Sequence, residues 1–156
     1  MIKILFVCHG NICRSPMAEL VMKRKVEDAG VADQFEIASA ATSTEELGSP
    51  VYPGTRRLLE RHGIDCSAKR ARQTNRSDYD RYDLLVGMDR ENIRNMRRIY
   101  GEDPQGKIRM LLSFTEDRKG EISDPWYHND FDQTWEEVNL GCDALLKYCL
   151  ETHRND

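Results

Sequence analysis

The chain has 156 residues, of which 39% are hydrophobic and 32% charged, and its 27 acidic and 23 basic side chains give a net charge of −4. This length and apolar content predict one globular domain over residues 1–156, and the acidic balance argues against a general nucleic-acid binder. No apolar run is long enough for a membrane span or a signal peptide, so we expect a cytoplasmic protein without membrane contacts.

Charge and cysteine are unevenly distributed along the chain. Residues 116–156 carry 11 acidic and 4 basic side chains, whereas residues 1–115 carry a net charge of +3. An anionic ligand is therefore expected on the first part of the chain. The five cysteines are odd in number and irregularly spaced, which argues against a secreted disulfide framework.

Predicted strands and helices alternate along the chain. The β-branched run at the amino terminus predicts a buried strand, Pro16 suits a first helical turn, and Asp89 can cap a helix. In chain order we predict strands over residues 2–7, 34–38, 82–88 and 108–114, helices over 17–29, 55–62, 90–100 and 132–151, and polar loops over 39–53 and 115–130. This alternation predicts an α/β fold, a three-layer sandwich in which helices flank a central four-stranded parallel sheet.

The segment after the first strand has the features of a phosphate-binding loop. Cys8 ends the strand, Gly10 and Asn11 tolerate a positive φ, and a helix begins near Ser15. Loop N–H groups and a helix amino terminus together favour an anion, and Arg14 can clamp two phosphoryl oxygens. The same surroundings favour the thiolate form of a cysteine. A thiolate beneath a bound phosphate is placed for attack on phosphorus.

An acid is also needed to protonate the leaving oxygen in such chemistry. Asp124 precedes Pro125 in the predicted polar loop, and Trp126 and Tyr127 could form the wall of a pocket for an aromatic leaving group. Asp124 would act as general acid and then as general base on water. Cys66 and Arg72 repeat the spacing of Cys8 and Arg14, but without glycine or a preceding strand, and we interpret that segment as a surface loop.

The stretch VCHGNICRSP at residues 7–16, combined with DPWY at 124–127, resembles the low-molecular-weight protein tyrosine phosphatase family. SAATS at 39–43, RHGID at 61–65, ARQ at 71–73 and YDLLVGMD at 82–89 follow in the family's order, so the resemblance covers nearly the whole chain. It implies hydrolysis of phosphotyrosine proteins or small aryl phosphates through a phosphocysteine intermediate. It also implies inorganic phosphate as product, no metal or other cofactor, and a monomer or weak dimer.

The resemblance assigns roles by position. Cys8 would be the nucleophile, Asp124 the general acid, and the Cys8–Cys13 pair a reversible peroxide-induced disulfide. The phosphate-binding residues would be His9, Gly10, Asn11, Ile12, Cys13, Arg14 and Ser15. The network that supports the loop would be Asn11, Ser15, Ser43 and His62.

Five positions in or beside the pocket bear on specificity. Glu45 stands where many members have a tryptophan, so the rim gains a carboxylate and loses an aromatic wall. His9 replaces the commoner leucine, and Trp126, beside Tyr127, replaces a frequent tyrosine. Ile12 stands where phosphoarginine-preferring members carry threonine, which favours phosphotyrosine as the substrate.

Several alternative functions fit the sequence less well than this interpretation. An arsenate reductase of the same fold would need relay cysteines, for which Cys66 is a lone candidate. Ile12 disfavours a phosphoarginine phosphatase, and a non-catalytic phosphoprotein-binding module would need neither nucleophile nor acid. A zinc site from Cys8, His9 and Cys13 lacks a fourth ligand. The basic run at residues 69–76 is interpreted as a solvated face or, being part of a block shared with the family, as a frame for the side of the pocket, rather than as a nucleic-acid site.

Overall fold

The computed structural model describes residues 1–116 and 120–154 of the chain. Its strands are β1 (Ile2–Cys8), β2 (Phe35–Ala41), β3 (Leu84–Gly87) and β4 (Ile108–Met110). Its helices are α1 (Arg14–Asp28), α2 (Pro53–Arg61), α3 (Asp78–Arg81), α4 (Arg90–Tyr100), α5 (Pro125–His128) and α6 (Phe131–Arg154). Two short 3₁₀ helices cover Ala32–Gln34 and Leu111–Phe114.

The four strands form one parallel sheet in the order β2-β1-β3-β4. Strand β1 pairs with β2 from Ile2 opposite Phe35 to Cys8 opposite Ala41. Because parallel strands end at the same edge, the segments that follow β1 and β3 lie side by side there. The sheet therefore brings the Cys8 loop next to Asp89.

The alternation of side chains along β1 separates two apolar layers. Ile4 and Phe6 pack with α1, α2 and α6 on one face of the sheet, whereas Leu5 and Val7 pack with α3 and α4 on the other. The helices cover both faces, as a buried parallel sheet requires. The predicted three-layer α/β sandwich with a central four-stranded parallel sheet is confirmed.

Several predicted boundaries differ from the structure. Helix α1 begins at Arg14 rather than residue 17, and β2 continues to Ala41, so that the following loop starts three residues later than predicted. The strand predicted over residues 108–114 ends at Met110 and continues as a 3₁₀ helix, whose Ser113 hydroxyl donates to the Met110 carbonyl (2.6 Å).

Helices α3 and α5 are absent from the sequence prediction. Each is four residues long, too short for an apolar period to be recognised. Helix α5 lies within the polar loop predicted over residues 115–130. Residues 117–119 of that loop, and residues 155–156 of the predicted domain, lie outside the described ranges. No helix in the described ranges is both long and apolar enough to cross a membrane.

A close contact between α6 and the 3₁₀ helix gives a test of packing. A Cβ placed on Gly141 would lie 2.5 Å from Cγ of Leu111, which is fully buried. We expect Gly141→Ala to lower the free energy of unfolding by roughly 1–2 kcal/mol, since overpacking outweighs the gain in helix propensity. Urea unfolding measures this, with Leu140→Ala on the exposed face as the matched control. A Gly141→Ala protein as stable as wild type would contradict the packing argument.

Candidate active site

The loop from His9 to Cys13 joins β1 to α1 and turns its backbone N–H groups away from protein acceptors. Asn11 has a φ of 57°, a left-handed conformation that its short polar side chain tolerates. The carbonyls of Cys8, His9 and Ile12 accept hydrogen bonds from the backbone of residues 42, 43 and 52 at 2.8–3.1 Å. Within the described ranges, the N–H groups of residues 9–13 have no hydrogen-bond acceptor. Five unsatisfied donors in succession suit an anion.

Arg14 is buried and held by groups from two other elements. Its Nη1 donates to Oδ2 of Asp89 (2.6 Å) and to the carbonyl of Ile122 (2.9 Å), and its Nη2 lies 3.6 Å from Oδ2 of Asp124. Burial alone would lower the pKa of Arg14, but the neighbouring Cys8 sulfur and the Asp89 carboxylate raise it above its ordinary value. The guanidinium is therefore a fixed cation beside the Cys8 sulfur.

Asp89 both caps α4 and orients Arg14. One carboxylate oxygen accepts from the Asn92 backbone (2.8 Å) in a capping box, and the other accepts from Arg14. The sequence predicted the cap but not the contact with Arg14. Its signal was available: Asp89 follows β3 closely, at the edge where the neighbouring strand β1 ends.

A chain of buried hydrogen bonds leads from Glu19 to the Cys8 sulfur. Ser39 Oγ donates to Glu19 (2.5 Å), and Nδ2 of Asn11 donates to both Ser39 Oγ (2.9 Å) and Ser15 Oγ (2.8 Å). Ser15 Oγ lies 2.9 Å from Sγ of Cys8. Because each hydroxyl accepts from Asn11, the Ser15 proton is left to point at the sulfur.

The Glu19 carboxyl group at the start of these hydrogen bonds is ionised. Burial alone would raise the pKa of Glu19, but Lys69, with Lys23 and Ser39, holds that pKa below its ordinary value. Lys69 Nζ lies 3.3 Å from the carboxylate and donates to the Ser39 carbonyl (3.1 Å). The interpretation of residues 69–76 as a solvated face is therefore wrong for Lys69, which is partly buried against this network.

Of the two remaining residues predicted to support the loop, Ser43 contacts it, whereas the ring of His62 does not. Ser43 Oγ donates to the His9 carbonyl (2.9 Å) and so holds the loop from outside. The ring of His62, at the end of α2, stacks on Trp135 of α6 with centroids 3.9 Å apart. Ser39, which the sequence analysis did not single out, bonds Asn11 and Glu19 in the buried network. Ser39 falls one residue beyond the strand predicted over 34–38, so only a strand continued to residue 41 would have singled it out as a buried polar residue.

The segment around Cys66 is more closely integrated than predicted. Cys66 is buried, and the backbone of Arg72 bonds both Asn11 Oδ1 (3.2 Å) and the Ala41 N–H (2.7 Å). The interpretation as a free surface loop is wrong for these positions, because the segment packs along the end of β2 and the Cys8 loop.

The Cys8 loop forms the floor of an open cavity of about 330 Å³. Its lining residues are Cys8, His9, Gly10, Ile12, Cys13, Arg14, Glu45, Glu46, Tyr52, Asp124, Trp126 and Tyr127. The structure thus brings together the predicted nucleophile, clamp, acid and pocket residues. Sequence reasoning missed Tyr52, whose ring contacts Trp126 edge-on with centroids 5.1 Å apart.

Asp124 stands at the side of this cavity as the amino-terminal cap of α5. Its Oδ1 accepts from the Trp126 N–H (3.1 Å), which leaves Oδ2 near Arg14. Trp126 and Tyr127 are largely exposed, so their rings flank the opening. An aromatic leaving group would lie between these rings, within reach of the carboxylate.

The rim and the second loop cysteine have partners of their own. His9 Nε2 lies 2.8 Å from Glu45 Oε2 at the exposed edge of the cavity. Cys13 Sγ lies 2.8 Å from Thr55 Oγ1, and burial raises the pKa of Cys13 to about 12. Among the described residues, no three His, Cys, Asp or Glu side chains are grouped so that they could hold a metal ion.

The series of hydrogen bonds from Glu19 to the Cys8 sulfur predicts an effect of Glu19 on the reactivity of Cys8. In Glu19→Gln the carboxylate that orders the hydroxyl protons is lost, so we expect alkylation of Cys8 by iodoacetamide below neutral pH to slow by roughly threefold to tenfold. Mass spectrometry of the alkylated chain measures the rate. Burial raises the pKa of the other thiols, which therefore react slowly: Cys13, Cys66, Cys142 and Cys149.

Glu60→Gln is the matched control for this experiment, because Glu60 forms an exposed ion pair with Arg56 on α2. We expect it to leave the alkylation rate unchanged. Equal rates in wild type and Glu19→Gln would show that Glu19 does not influence the sulfur.

Comparison with known proteins agrees with this geometry. The family model described as low molecular weight phosphotyrosine protein phosphatase matches residues 3–155. The low molecular weight protein-tyrosine-phosphatase YfkJ of Bacillus subtilis is 36% identical over 147 residues, 94% of each chain. The corresponding PtpA of Staphylococcus epidermidis is 34% identical over 151 residues, which cover 97% of this chain and 96% of that protein.

Solved structures give the same result. The crystal structure of Bacillus subtilis YfkJ superposes with a TM-score of 0.94 at 35% identity, covering 97% of this chain and 96% of that one. The low molecular weight protein tyrosine phosphatase SP-PTP of Streptococcus pyogenes superposes with a TM-score of 0.84 at 38% identity, covering 95% and 93%. The chain therefore belongs to the low molecular weight phosphotyrosine protein phosphatase family.

Proposed function

We propose that this chain is a cysteine-dependent protein tyrosine phosphatase that acts through a phosphocysteine intermediate. The observation that carries the proposal is the meeting of four features in one cavity: the Cys8 sulfur, the unsatisfied N–H groups of residues 9–13, the Arg14 guanidinium and the Asp124 carboxyl group. Membership of the family and the names of the relatives support the same class of reaction.

In the first step, the phosphoryl oxygens accept hydrogen bonds from the loop N–H groups and Arg14, which places phosphorus above the Cys8 thiolate. A P–S bond forms as the P–O bond to the phenol breaks. Asp124 donates its proton to the departing oxygen, so that tyrosine leaves as the neutral phenol.

In the second step, the Asp124 carboxylate takes a proton from water, whose oxygen attacks phosphorus. The P–S bond breaks, inorganic phosphate is released, and the sulfur leaves as a thiolate. The hydroxyl of Ser15, 2.9 Å from Sγ, donates to that thiolate and stabilises it as a leaving group. Neither step calls for a metal or an organic cofactor.

The cavity also supports a choice among substrates. Ile12, Tyr52 and Trp126 provide apolar surface for an aryl ring, which favours phosphotyrosine or small aryl phosphates over phosphoarginine. Glu45 and Glu46 place carboxylates on the rim, and these disfavour acidic residues next to the phosphotyrosine.

Cys13 supports a redox role within the same proposal. Peroxide would oxidise the Cys8 thiolate to a sulfenic acid, and the Cys13 thiol would attack that sulfur with loss of water to form a disulfide. The Cys13 thiol must first leave its contact with Thr55. A thiol reductant would restore both cysteines.

Phosphate release from a phosphotyrosine peptide, without added metal, tests the proposed function. We expect turnover by wild type and none above background by Cys8→Ser, because the hydroxyl is a far weaker nucleophile than a thiolate. Cys66→Ser is the matched control and keeps full activity, since Cys66 lies in the core outside the cavity.

Two outcomes would overturn the proposal. Absence of turnover by folded, reduced wild type would favour arsenate reduction or phosphoprotein binding. A large loss in Cys66→Ser would favour the cysteine relay of an arsenate reductase.

A further inference from the structure

A second groove lies between α4 and the edge strand β4, and the proposed reaction does not use it. It encloses about 530 Å³ and has an apolar floor formed by Ile93, Ile108 and Met110. Its remaining lining residues are four arginines: Arg90, Arg94, Arg97 and Arg109. None of the seven residues lines the Cys8 cavity, and none of them is acidic.

Among the described residues, carboxylates neutralise the guanidinium groups of this arginine groove poorly. Arg90, 75% exposed, has one distant ion pair with Glu121 at 3.9 Å. Arg109 lies over the rings of Phe114 (4.8 Å) and Tyr148 (5.3 Å), and no carboxylate of residues 1–116 or 120–154 pairs with it.

Arg94 and Arg97, the two arginines at the centre of the groove, have fewer side-chain partners in the described part of the chain than Arg90 and Arg109. Within the described ranges, the side chains of Arg94 and Arg97 take part in no hydrogen bond or ion pair. The groove is therefore a concentrated positive surface on a chain whose net charge is −4.

The spacing of these arginines is unfavourable for an isolated helix. Arg90 and Arg94 are four residues apart, and Arg94 and Arg97 three apart, so all three share one face. Like charges at these spacings destabilise a helix. An external anion would relieve this repulsion, whereas protection of the sheet edge needs charge only on β4 itself.

We propose that the arginine groove binds an acidic, extended segment of a partner protein, with its carboxylates on the guanidinium groups and its apolar side chains on the floor. Arg90 and Arg94 are about 6 Å apart along the axis of α4, and alternate side chains of an extended chain lie about 7 Å apart on one side, a difference that long arginine and glutamate side chains can bridge. The apolar floor would give nothing to a free phosphate but adds buried area for a peptide.

Fluorescence anisotropy with a labelled peptide tests this inference directly. The probe is a short peptide in which the alternate positions that share one side carry glutamate and leucine, with serine between them, and it is compared with the same peptide carrying lysine in place of glutamate. We expect saturable binding of the acidic peptide, weakening with salt, and about tenfold weaker binding by the Arg94→Glu/Arg97→Glu variant.

The matched control reverses the same number of charges elsewhere. Arg57 and Arg76 are exposed and lie outside both cavity linings, and Arg57→Glu/Arg76→Glu is expected to bind the acidic peptide as wild type does. Hydrolysis of p-nitrophenyl phosphate is measured alongside and stays unchanged in both variants. This separates the groove from the proposed phosphatase activity, because peptide binding does not depend on turnover.

Four results would overturn the inference. The first is no saturable binding by wild type, and the second is equal weakening in both variants, which would indicate a general charge effect. The third is tighter binding of anionic vesicles or inorganic polyphosphate than of the peptide. The fourth is self-association, measured by light scattering and abolished by Arg94→Glu/Arg97→Glu, which would make a second copy of the chain the occupant.

Discussion

Replacement of Asp124 with asparagine is expected to lower kcat for a phosphotyrosine peptide by about 10²–10⁴-fold, the usual contribution of a general acid. Asparagine can still cap α5, because its side-chain oxygen can accept from the Trp126 N–H. The loss therefore reports the missing proton rather than a displaced loop. Substrates with more acidic leaving phenols, such as p-nitrophenyl phosphate, need less protonation and should lose less activity.

A series of aryl phosphates with different leaving phenols measures this effect as the slope of log kcat against phenol acidity. The slope should steepen in Asp124→Asn, and Asp130→Asn, a change of the same type just beyond α5, should leave both slope and rate unchanged. An equal loss for every leaving group would contradict a proton-donor role. Asp124 would then act through its contact with Arg14 alone.

The parts of the site that the sequence predicts well are contiguous in the chain. Cys8, Asn11 and Arg14 belong to one strand–loop–helix unit, whose conformation depends on local rules: the end of a buried strand, a residue that tolerates positive φ, and a helix start. Asp124 was proposed as the acid from its place beside Pro125, Trp126 and Tyr127, and the family resemblance supported its link with this unit. That residue is more than a hundred positions away and is carried by a short capped helix.

The parts that the sequence did not predict depend on strand order. Asp89 meets Arg14 because β3 lies beside β1, and Ser39 meets Asn11 because β2 lies on the other side. Neither neighbour can be derived from the periodicity of a single strand. Tyr52 lines the cavity because of another contact between distant parts of the chain. Its N–H donates to the Ile12 carbonyl (2.8 Å) and fixes its segment against the loop.

His62 shows how a local interpretation can fail. The sequence places it at a helix end, and the resemblance attached it to the loop network. In the structure α2 packs against α6, and the ring of Trp135 provides a stacking surface that no local pattern reveals. The chain instead anchors the network with Glu19 and Lys69, a buried ion pair contributed by α1 and by the segment after α2.

Arg14→Lys is expected to lower kcat/KM for aryl phosphates by about 10²–10³-fold or more, as for the loss of one preorganised donor to a developing oxyanion. Lysine keeps the charge, but its single ammonium cannot reach Asp89 and the Ile122 carbonyl while also binding two phosphoryl oxygens. Asp89 would lose the guanidinium to which it is hydrogen-bonded. We therefore also expect inorganic phosphate to bind more weakly to the variant.

Steady-state kinetics and inhibition by vanadate, a phosphate analogue, measure the two effects of Arg14→Lys together. Arg56→Lys, an exposed change of the same type on α2, is the matched control and should retain the wild-type kcat/KM. Thermal unfolding checks that Arg14→Lys is folded, because a buried arginine contributes to packing as well as to charge. A folded Arg14→Lys protein with kcat/KM close to wild type would mean that charge alone suffices. The orientation imposed by Asp89 would then have no part in catalysis. A large loss of kcat/KM would instead show that turnover requires the fixed guanidinium. Turnover would then also depend on the pairing of β1 with β3, which brings Asp89 to Arg14.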